Sequence, residues 1–513
     1  MPQIIIPAAG QYGLVADQPA QELPVNAWSR VENMRFRGGC AERMGGHAAV
    51  FSAPSVTPYH LAAYQNGASR YWVHFGLAAI YSDDGSTRTD LTGTAPTGTA
   101  ADKWSTAVLG GVLLATNGVD QPMYWGGNTA NNFATLTGWN SNWRCKSIGS
   151  FKAFAVAVGV TKSGTYYPHM VKWSHEADPG TVPTSWDETD ATKSAGEVDI
   201  ADTTDSIVDQ LVLGDANLIY KERSIYAMRY IGGTQIFEFR RIPGNYGMLA
   251  KGCAAVTPLG HVVLANGDVV LVDGVNEPKS IIKDRDKTWL FASQIDSTNY
   301  AKCFVVANPT KSEVLICYPE VGESVCTKAF AWNWDSDTWG PRDLPSVNHA
   351  ASGMLDYSVS ASYDAQTDSY DDAAGLIDQN EYTPADARLI MASSAPALYL
   401  ADAGSSFAGT AVEAVLERTG LSFDDPETVK LIRSVTPRID APAGTVLTIY
   451  AGGSMDAEQA PTWSAGVTYA VGSTRKADLF ASGRFLALRI ESSGGQKWRV
   501  KSLSVDVQPM GAY

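Results

Sequence analysis

The sequence has little charge and no long apolar run. Only 18% of its 513 residues are charged, while 45% are hydrophobic, and this balance excludes a mainly disordered tether. Apolar runs such as 108–115 are far shorter than the roughly 20 residues that cross a bilayer, so we expect no membrane-spanning segment. The amino terminus lacks a basic region and its apolar stretch stops at Pro7, which is not typical of a secretory signal. We therefore expect synthesis in the cytoplasm.

Cysteine is also scarce. The six cysteines are scattered and no two of them have CxxC spacing, which favours reduced, packed thiols. A metal site at Cys303, Cys317 and Cys326 is the second interpretation, but no nearby histidine supplies a fourth ligand at zinc spacing. The sequence predicts no metal and no cofactor.

Motifs of catalysis are missing from the sequence. There is no Gly-Lys dipeptide, no GxSxG and no GxGxxG, which argues against a phosphate-binding loop, a hydrolase elbow and a dinucleotide fingerprint. His175 and Glu176 begin no HExxH motif, and Pro179 stands where the second histidine would be. These two residues indicate a polar turn. We predict no catalytic residue and no enzymatic activity.

Two acidic segments partly match the Asp-box hairpins of sialidase-like propellers. They are SDDGST from Ser82 and SDTW from Ser336, and neither completes the pattern SxDxGxTW. Even a complete box is a structural turn, so these segments predict hairpins and give little support to hydrolysis.

The charge is unbalanced, with 39 basic and 54 acidic residues and a net charge of −15. A general nucleic-acid clamp needs a basic surface, whereas an acidic surface lets DNA pass without adhering. One basic cluster, Arg30, Arg35, Arg37 and Arg43, could contact DNA or an acidic neighbour. The alternation of Arg35 and Arg37 with apolar residues instead favours a half-buried strand pair whose arginines are solvated or salt-bridged.

Strand signals dominate the chain. Fourteen Trp and 22 Tyr suit pleated surfaces, and short β-branched or aromatic runs alternate with Gly, Asn and Asp turns. The runs group into six blocks: 57–92, 103–139, a third from 144, 207–242, 253–282 and 303–344. A repeat of roughly 40 to 50 residues is typical of propeller blades. We predict an all-β fold with a six-bladed β-propeller; unrelated hairpins in one or two sandwiches are the alternative.

An acidic segment follows the blocks. Residues 351–387 carry eight carboxylates and no Lys, Arg or His, so their mutual repulsion makes burial costly. The candidate site residues, which should therefore be solvated, are Asp364, Asp368, Asp371 and Asp372. A long polar loop of this kind commonly lies on the surface.

The remaining chain shows strand alternation with turns at intervals of roughly ten residues, which indicates a C-terminal β-sandwich-like module. The predicted domains are 1–56, with N-terminal strands and an arm; 57–347, with the blades; 348–407, with the acidic insertion and a closing hairpin; and 408–513, with the module.

Several phrases resemble a known family. LPVNAWSRVENMRFRGGCAERMGGHAAVF, PHMVKWSHEADPGTVPTSWD, LGDANLIYKERSIYAMRYIGG, FAWNWDSDTWGPRDLP and the closing SGRFLALRIESSGGQKWRVKSLSVDVQPMGAY are similar to tail nozzle proteins of short-tailed bacteriophages. The likeness extends over nearly the whole chain and rests on structural phrases, without catalytic signatures.

The resemblance implies a structural protein of the virion tail, made in the bacterial host cytoplasm. It further implies a hexameric ring below the portal and adaptor proteins, near tail fibres or spikes, that gates double-stranded phage DNA and conducts it during ejection. In such a ring the acidic residues Asp364, Asp368, Asp371 and Asp372 are predicted to face the DNA channel, and a position on the outer rim is an equally supported alternative. Two alternatives stay open at this point: a tail protein that binds glycans on the host surface, and a propeller glycosidase.

Overall fold

The structure is a computed structural model that describes residues 3–67, 69–233, 235–355, 387–492 and 494–512. Strand makes up 52% and helix 4%, so the prediction of an all-β fold is confirmed. The short helical turns are Ala20–Glu22, Trp289–Gln294, Tyr300–Lys302 and Pro309–Lys311. Among the described residues, no helix has the length and apolar character needed to cross a membrane.

Five antiparallel sheets of four strands follow one another along the chain, and we number them sheets 1 to 5. Sheet 1 contains His60–Asn66, Ser69–Phe75, Ile80–Asp83 and Arg88–Asp90. Sheet 2 contains Ser105–Leu109, Val112–Thr116, Met123–Trp125 and Ala134–Thr135. Sheet 3 contains Trp143–Phe151, Phe154–Lys162, Thr165–Trp173 and Gly196–Asp199. Sheet 4 contains Ile207–Leu213, Ala216–Lys221, Ile225–Tyr230 and Phe237–Arg241, and sheet 5 contains Ala254–Thr257, Gly260–Ala265, Asp268–Val272 and Lys279–Ser280.

A larger sheet of nine strands comes next, and its strand order includes a piece of the N-terminal region. In order across the sheet the strands are Phe304–Asn308, Glu313–Tyr318, Cys326–Asn333, Thr338–Met354, Ala387–Ser393, Leu398–Ala401, His47–Ala49, Ser406–Phe407 and Thr410–Ala411. We call it the large sheet.

Two sheets of six strands combine both ends of the described chain. Sheet A contains Gln3–Ile6, Met34–Arg37, Cys40–Arg43, Thr428–Asp440, Ala477–Gly483 and Arg499–Ala512. Sheet B contains Arg30–Glu32, Ala414–Leu421, Val446–Ser454, Thr462–Trp463, Val467–Ala470 and Phe485–Ser492. Buried residues of both sheets, such as Val435 and Val505 of sheet A and Leu416 and Ile490 of sheet B, belong to one hydrophobic cluster.

The burial of the strands explains their residue types. The second strands of sheets 2 and 5, Val112–Thr116 and Gly260–Ala265, are buried at every position, and their sequences VLLAT and GHVVLA lack the polar alternation of a half-exposed strand. The last strand of sheet 2, Ala134–Thr135, is exposed. In sheet 5 the last strand, Lys279–Ser280, likewise has no buried residue, so both sheets have a buried second strand and a last strand that is not buried.

Neighbouring sheets share hydrophobic clusters. Phe75 of sheet 1 and Trp125 of sheet 2 lie in one cluster, and further clusters join sheet 2 to sheet 3 and sheet 3 to sheet 4. Sheet 1 also packs on the large sheet, because Leu61 and Trp72 share a cluster with Ile390. The first sheet therefore contacts both the second sheet and the sheet that follows the fifth.

The sheets coincide with the predicted blocks. Each of the first five blocks forms one four-stranded sheet, and the sixth block supplies the first strands of the large sheet. The number of six blades and the domain boundaries stay predictions. Strands of the segment predicted as 1–56 pair with strands of the segment predicted as 408–513. The acidic residues Asp364, Asp368, Asp371 and Asp372 lie outside the described residues.

Candidate functional site

Three lysines and an aspartate meet where the first strands of sheets 2 to 5 lie side by side. Lys103 and Lys251 stand just before the first strands of sheets 2 and 5, while Lys146 and Asp209 lie within the first strands of sheets 3 and 4. We call these four residues the central lysine cluster. Their positions follow from the repeated order of the sheets, since each residue lies near the start of its own sheet.

The lysine ammonium groups connect the backbones of several sheets. Lys103 Nζ donates to the carbonyl oxygens of Lys251 at 2.9 Å and Cys303 at 2.7 Å. Lys251 Nζ donates in return to the carbonyl oxygens of Lys103 at 2.6 Å and Lys146 at 2.5 Å. Lys146 Nζ donates to the carbonyl oxygen of Ile207 at 3.0 Å. These charged donors satisfy carbonyls that would otherwise be costly to bury.

Asp209 fixes the adjoining backbone. Its Oδ1 accepts hydrogen bonds from Ser147 Oγ at 2.6 Å and from its neighbour's amide, Gln210 N, at 2.9 Å. Its Oδ2 accepts a hydrogen bond from Gly252 N at 2.9 Å. The carboxylate therefore joins sheets 3 and 4 to the segment that leads into sheet 5.

Burial lowers the pKa of two lysines of the cluster. Burial lowers the pKa of Lys251 to about 8; the nearby Lys146 and Lys103 ammonium groups act in the same direction, and the Asp209 carboxylate opposes them. Burial also lowers the pKa of Lys146, with Asp209 and Glu222 opposing. Such shifts are expected where desolvation and like charges both disfavour the charged form.

Two cavities meet at the cluster. One has a volume of about 890 Å³ and is lined by all three lysines. The other has a volume of about 400 Å³ and is lined by Lys103, Lys251 and Asp209. Because Lys103 and Lys251 line both cavities, these two side chains lie between them. Both of these lysines are hydrogen-bonded to backbone carbonyls.

A histidine pair lies on the wall of the smaller cavity. The His60 and His349 rings are 4.0 Å apart between centroids. His60 Nε2 is 3.0 Å from Thr106 Oγ1, and Leu61 N donates to His349 Nδ1 at 3.2 Å. Burial lowers the pKa of His349 to about 3, and it lowers the pKa of His60 well below its usual value. Both imidazoles are neutral near pH 7 and join sheet 1 to its neighbours.

A second polar group lies where sheet A contacts the large sheet, and we call it the junction ion network. It contains Arg35, Glu313, Arg342 and Asp402, whose side chains are at most 9% exposed. Arg35 forms a bidentate pair with Glu313 and donates to Asp402 Oδ2 at 3.0 Å. Arg342 donates to Asp402 Oδ1 at 3.0 Å.

Charge pairing outweighs burial in this network. Burial favours a neutral acid, but Arg342 and Arg35 hold the pKa of Asp402 well below its usual range. Burial likewise opposes charge on Arg35, yet the Asp402 and Glu313 carboxylates raise the pKa of the guanidinium. The Asp402 carboxylate and the Arg35 guanidinium are therefore charged at neutral pH.

The basic cluster identified in the sequence divides into buried and exposed members. Arg35 is buried together with Met34 and Phe36, so the alternation that predicted a half-buried strand is wrong at this position, whereas its salt bridge is confirmed. Arg43 is 1% exposed and donates to backbone carbonyls, so it presents no surface to DNA. Arg30 is exposed and pairs with the carboxylates of Glu32 and Glu417.

The other motifs are structural. Asp84 Oδ1 accepts hydrogen bonds from Ser86 N and Thr87 N in the turn between two strands of sheet 1, as predicted for an Asp-box-like hairpin. His175 Nδ1 is 2.8 Å from Ser194 Oγ in a loop. All six cysteines are buried and free, which confirms the packed thiols. Among the described residues, no cluster of three or more His, Cys, Asp or Glu could hold a metal ion.

Sequence reasoning missed the central lysine cluster. Its lysines are separated by 43 and 105 positions, since they stand at 103, 146 and 251, and no local motif links them. The available signal was positional, because a lysine recurs near the start of three of the six predicted blocks. A charged residue at the same place in successive repeats indicates a shared location in the fold.

Comparison with known proteins gives weak similarities. No protein-family model and no curated protein matches the sequence. The WD40 β-propeller domain of Doa1 is 11% identical with a TM-score of 0.35, over 70% of this chain and 97% of that one. The β-propeller domain of Cps50 (Swd1) from Myceliophteria thermophila is 7% identical with a TM-score of 0.39, over 69% and 99%. Raptor from Chaetomium thermophilum is 9% identical with a TM-score of 0.40, over 70% of this chain and 29% of that one. Similarities of this size do not indicate a function.

Proposed function

We propose that this chain is a structural protein of a phage tail, a nozzle subunit that forms a ring and conducts DNA. The proposal is supported by the positions, in the fold, of the sequence phrases that resemble tail nozzle proteins. Arg35, from the N-terminal phrase, and Arg342, from the phrase that begins at Phe330, meet in the junction ion network. Residues of the closing phrase pair with Gln3–Ile6 in sheet A. The phrases thus join distant parts of the scaffold, as expected of a structural protein.

We further propose a β-propeller of seven units, one more than the sequence predicted. The strand Thr338–Met354 pairs with Cys326–Asn333 mainly through residues 338–343 and with Ala387–Ser393 through residues 347–354, and Val347 pairs with both neighbours. Ser346, between the two parts, has a left-handed backbone with φ of 53°, which favours a break in a strand. Dividing the large sheet here gives a sixth unit and a seventh.

The seventh unit would be completed by the N-terminal strand His47–Ala49, which pairs with Leu398–Ala401. A unit built from both ends of the propeller segment closes the ring by strand pairing and protects the sheet edges. Sheets A and B, which share one cluster of buried residues, would form the additional β-sandwich.

In this proposal DNA does not pass through the centre of a single chain. The two central cavities, of about 890 and 400 Å³, are separated by Lys103 and Lys251, and neither is large enough for a duplex. The channel would therefore lie between subunits, on the axis of the ring. Its other contacts would be the portal and adaptor proteins and the tail fibres or spikes.

The experiment is a symmetry determination by electron microscopy of the purified protein, alone and mixed with the phage adaptor. We expect rings with six copies, and the same six-fold ring in the virion tail below the portal. A virion map with three or twelve copies, or with the protein absent from the tail, would contradict the proposal.

A further inference from the structure

The larger central cavity is positively charged although the chain as a whole carries a net charge of −15. Its cationic lining residues are Lys103, Lys146, Arg223 and Lys251, and its anionic ones are Asp102 and Glu222. The lining therefore has a local excess of two positive charges. A concave site of one sign concentrates ligands of the opposite sign.

Hydrogen-bond capacity at this cavity exceeds the acceptors that the described residues supply. A lysine ammonium group has three N–H donors. The described residues offer Lys146 one acceptor, the Ile207 carbonyl, and offer Lys103 and Lys251 two carbonyls each. Four charged N–H donors are thus left to interact with the contents of the cavities, and two of them belong to Lys146.

A glycine makes room for Lys146. Gly159 lies at a β-bulge between Val158 and Val160 and has a φ of +60°, which favours glycine. A Cβ at this position would lie 3.0 Å from the Cβ of Lys146 and 3.4 Å from the hydroxyl of Tyr166. The bulge therefore leaves the space in which Lys146 and Tyr166 lie along the cavity wall.

We propose that this cavity binds a small dianionic oxyanion of the phosphate type, with Lys146 as its principal ligand and Lys103 and Lys251 at its base. A dianion matches the local excess of two positive charges, and its oxygens accept several charge-assisted hydrogen bonds at once. The phosphate group could be free inorganic phosphate or part of a phosphomonoester, since both present the same oxygens.

Binding should depend on pH in a defined direction. The pKa of Lys251 is lowered to about 8, and the charges around it are those of Lys103, Lys146 and Asp209. An anion stabilises the protonated lysine, so its affinity should be highest below pH 8 and should fall as the pH rises above 8. Sulfate keeps its double negative charge over this range and is the suitable probe for the pH profile.

The test is isothermal titration of the purified full-length protein with inorganic phosphate, sulfate and a phosphomonoester. We expect saturable binding of one anion per chain, weakened about tenfold or more by Lys146→Gln and also weakened by Gly159→Ala. Lys146→Arg should retain binding, and Lys279→Gln, which changes an exposed lysine of sheet 5, should bind like the unchanged protein.

Thermal unfolding of each variant distinguishes loss of binding from loss of folding. If Lys146→Gln does not fold, Lys146→Arg still tests the site, because it keeps the positive charge. Tighter binding of the phosphomonoester than of phosphate identifies an organic ligand as the source, and equal affinity identifies the free anion. The proposal is overturned if the unchanged protein binds no anion at millimolar concentration, or if Lys146→Gln binds as tightly as the unchanged protein. The result is independent of ring symmetry, so it can fail while the nozzle proposal stands.

Discussion

Replacing Asp402 with asparagine should destabilise the protein severely. The Asp402 carboxylate accepts hydrogen bonds from Arg35, Arg342 and Asn308 at 3.0, 3.0 and 3.1 Å. Asparagine has nearly the same shape but no charge, so Arg342 would lose its carboxylate partner and Arg35 would keep only Glu313. Loss of one partner from a buried ion pair costs about 3–5 kcal/mol, and we expect a loss of this order for Asp402→Asn.

The assay is urea unfolding at pH 7, followed by tryptophan fluorescence. The matched control is Asp215→Asn, since Asp215 is 98% exposed and pairs with Lys152 at 2.9 Å. We expect this change to leave the urea concentration at the unfolding midpoint unchanged. A change of less than about 0.5 kcal/mol for Asp402→Asn, the range of ordinary surface substitutions, would refute the reasoning.

The pH dependence of this difference has a definite sign. The folded-state pKa of Asp402 is lowered, so its contribution is fully present above the unfolded-state pKa of about 3.9. The contribution is lost as the pH falls below that value towards the folded-state pKa. The stability difference between the unchanged protein and Asp402→Asn should therefore be constant near neutrality and shrink only below about pH 4.

Three further predictions concern the contact between sheet 1 and the large sheet, catalysis and the acidic segment. Gly353→Ala should lower the melting temperature, because a Cβ there would lie 2.2 Å from the Cβ of Ala63 across the contact between the large sheet and sheet 1; Gly126→Ala, with no atom within 4 Å, is the control, and equal melting temperatures would contradict the packing. A panel of glycans and peptides should show no turnover, and turnover abolished by a single substitution would show that the chain is an enzyme. Changing all four candidate channel residues to Asn should slow DNA ejection or make it depend on salt, whereas unchanged ejection would contradict a channel-facing position; these residues are Asp364, Asp368, Asp371 and Asp372.

The strands and their turns could be predicted from the sequence because their signals are local. The turn at Asp84 is an example, since its side chain bonds amides only two and three residues away. The burial of Arg35 could not be predicted in this way, because its partners Glu313 and Asp402 lie 278 and 367 positions along the chain. The alternation of its own strand therefore suggested exposure.

The same limit explains why the candidate site was missed. Lys103 and Lys251 donate to each other's backbone carbonyls across 148 positions, and each looks like an ordinary polar residue at the start of a strand. Only the order of the sheets brings these lysines together. The pairing of N-terminal with C-terminal strands in sheets A and B was missed for the same reason, since strand pairing over hundreds of residues leaves no local pattern.

The pairing of Gln3–Ile6 with Arg499–Ala512 has a consequence for biosynthesis. The strand Gln3–Ile6 is synthesised about 500 positions before its partner, so it has no partner in sheet A while the sheets between them fold. Contacts over such distances form slowly, and strands without partners expose edges that promote aggregation. A chain that stops before residue 499 would leave Gln3–Ile6 without its partner strand, so sheet A forms only after nearly the whole described chain has been synthesised.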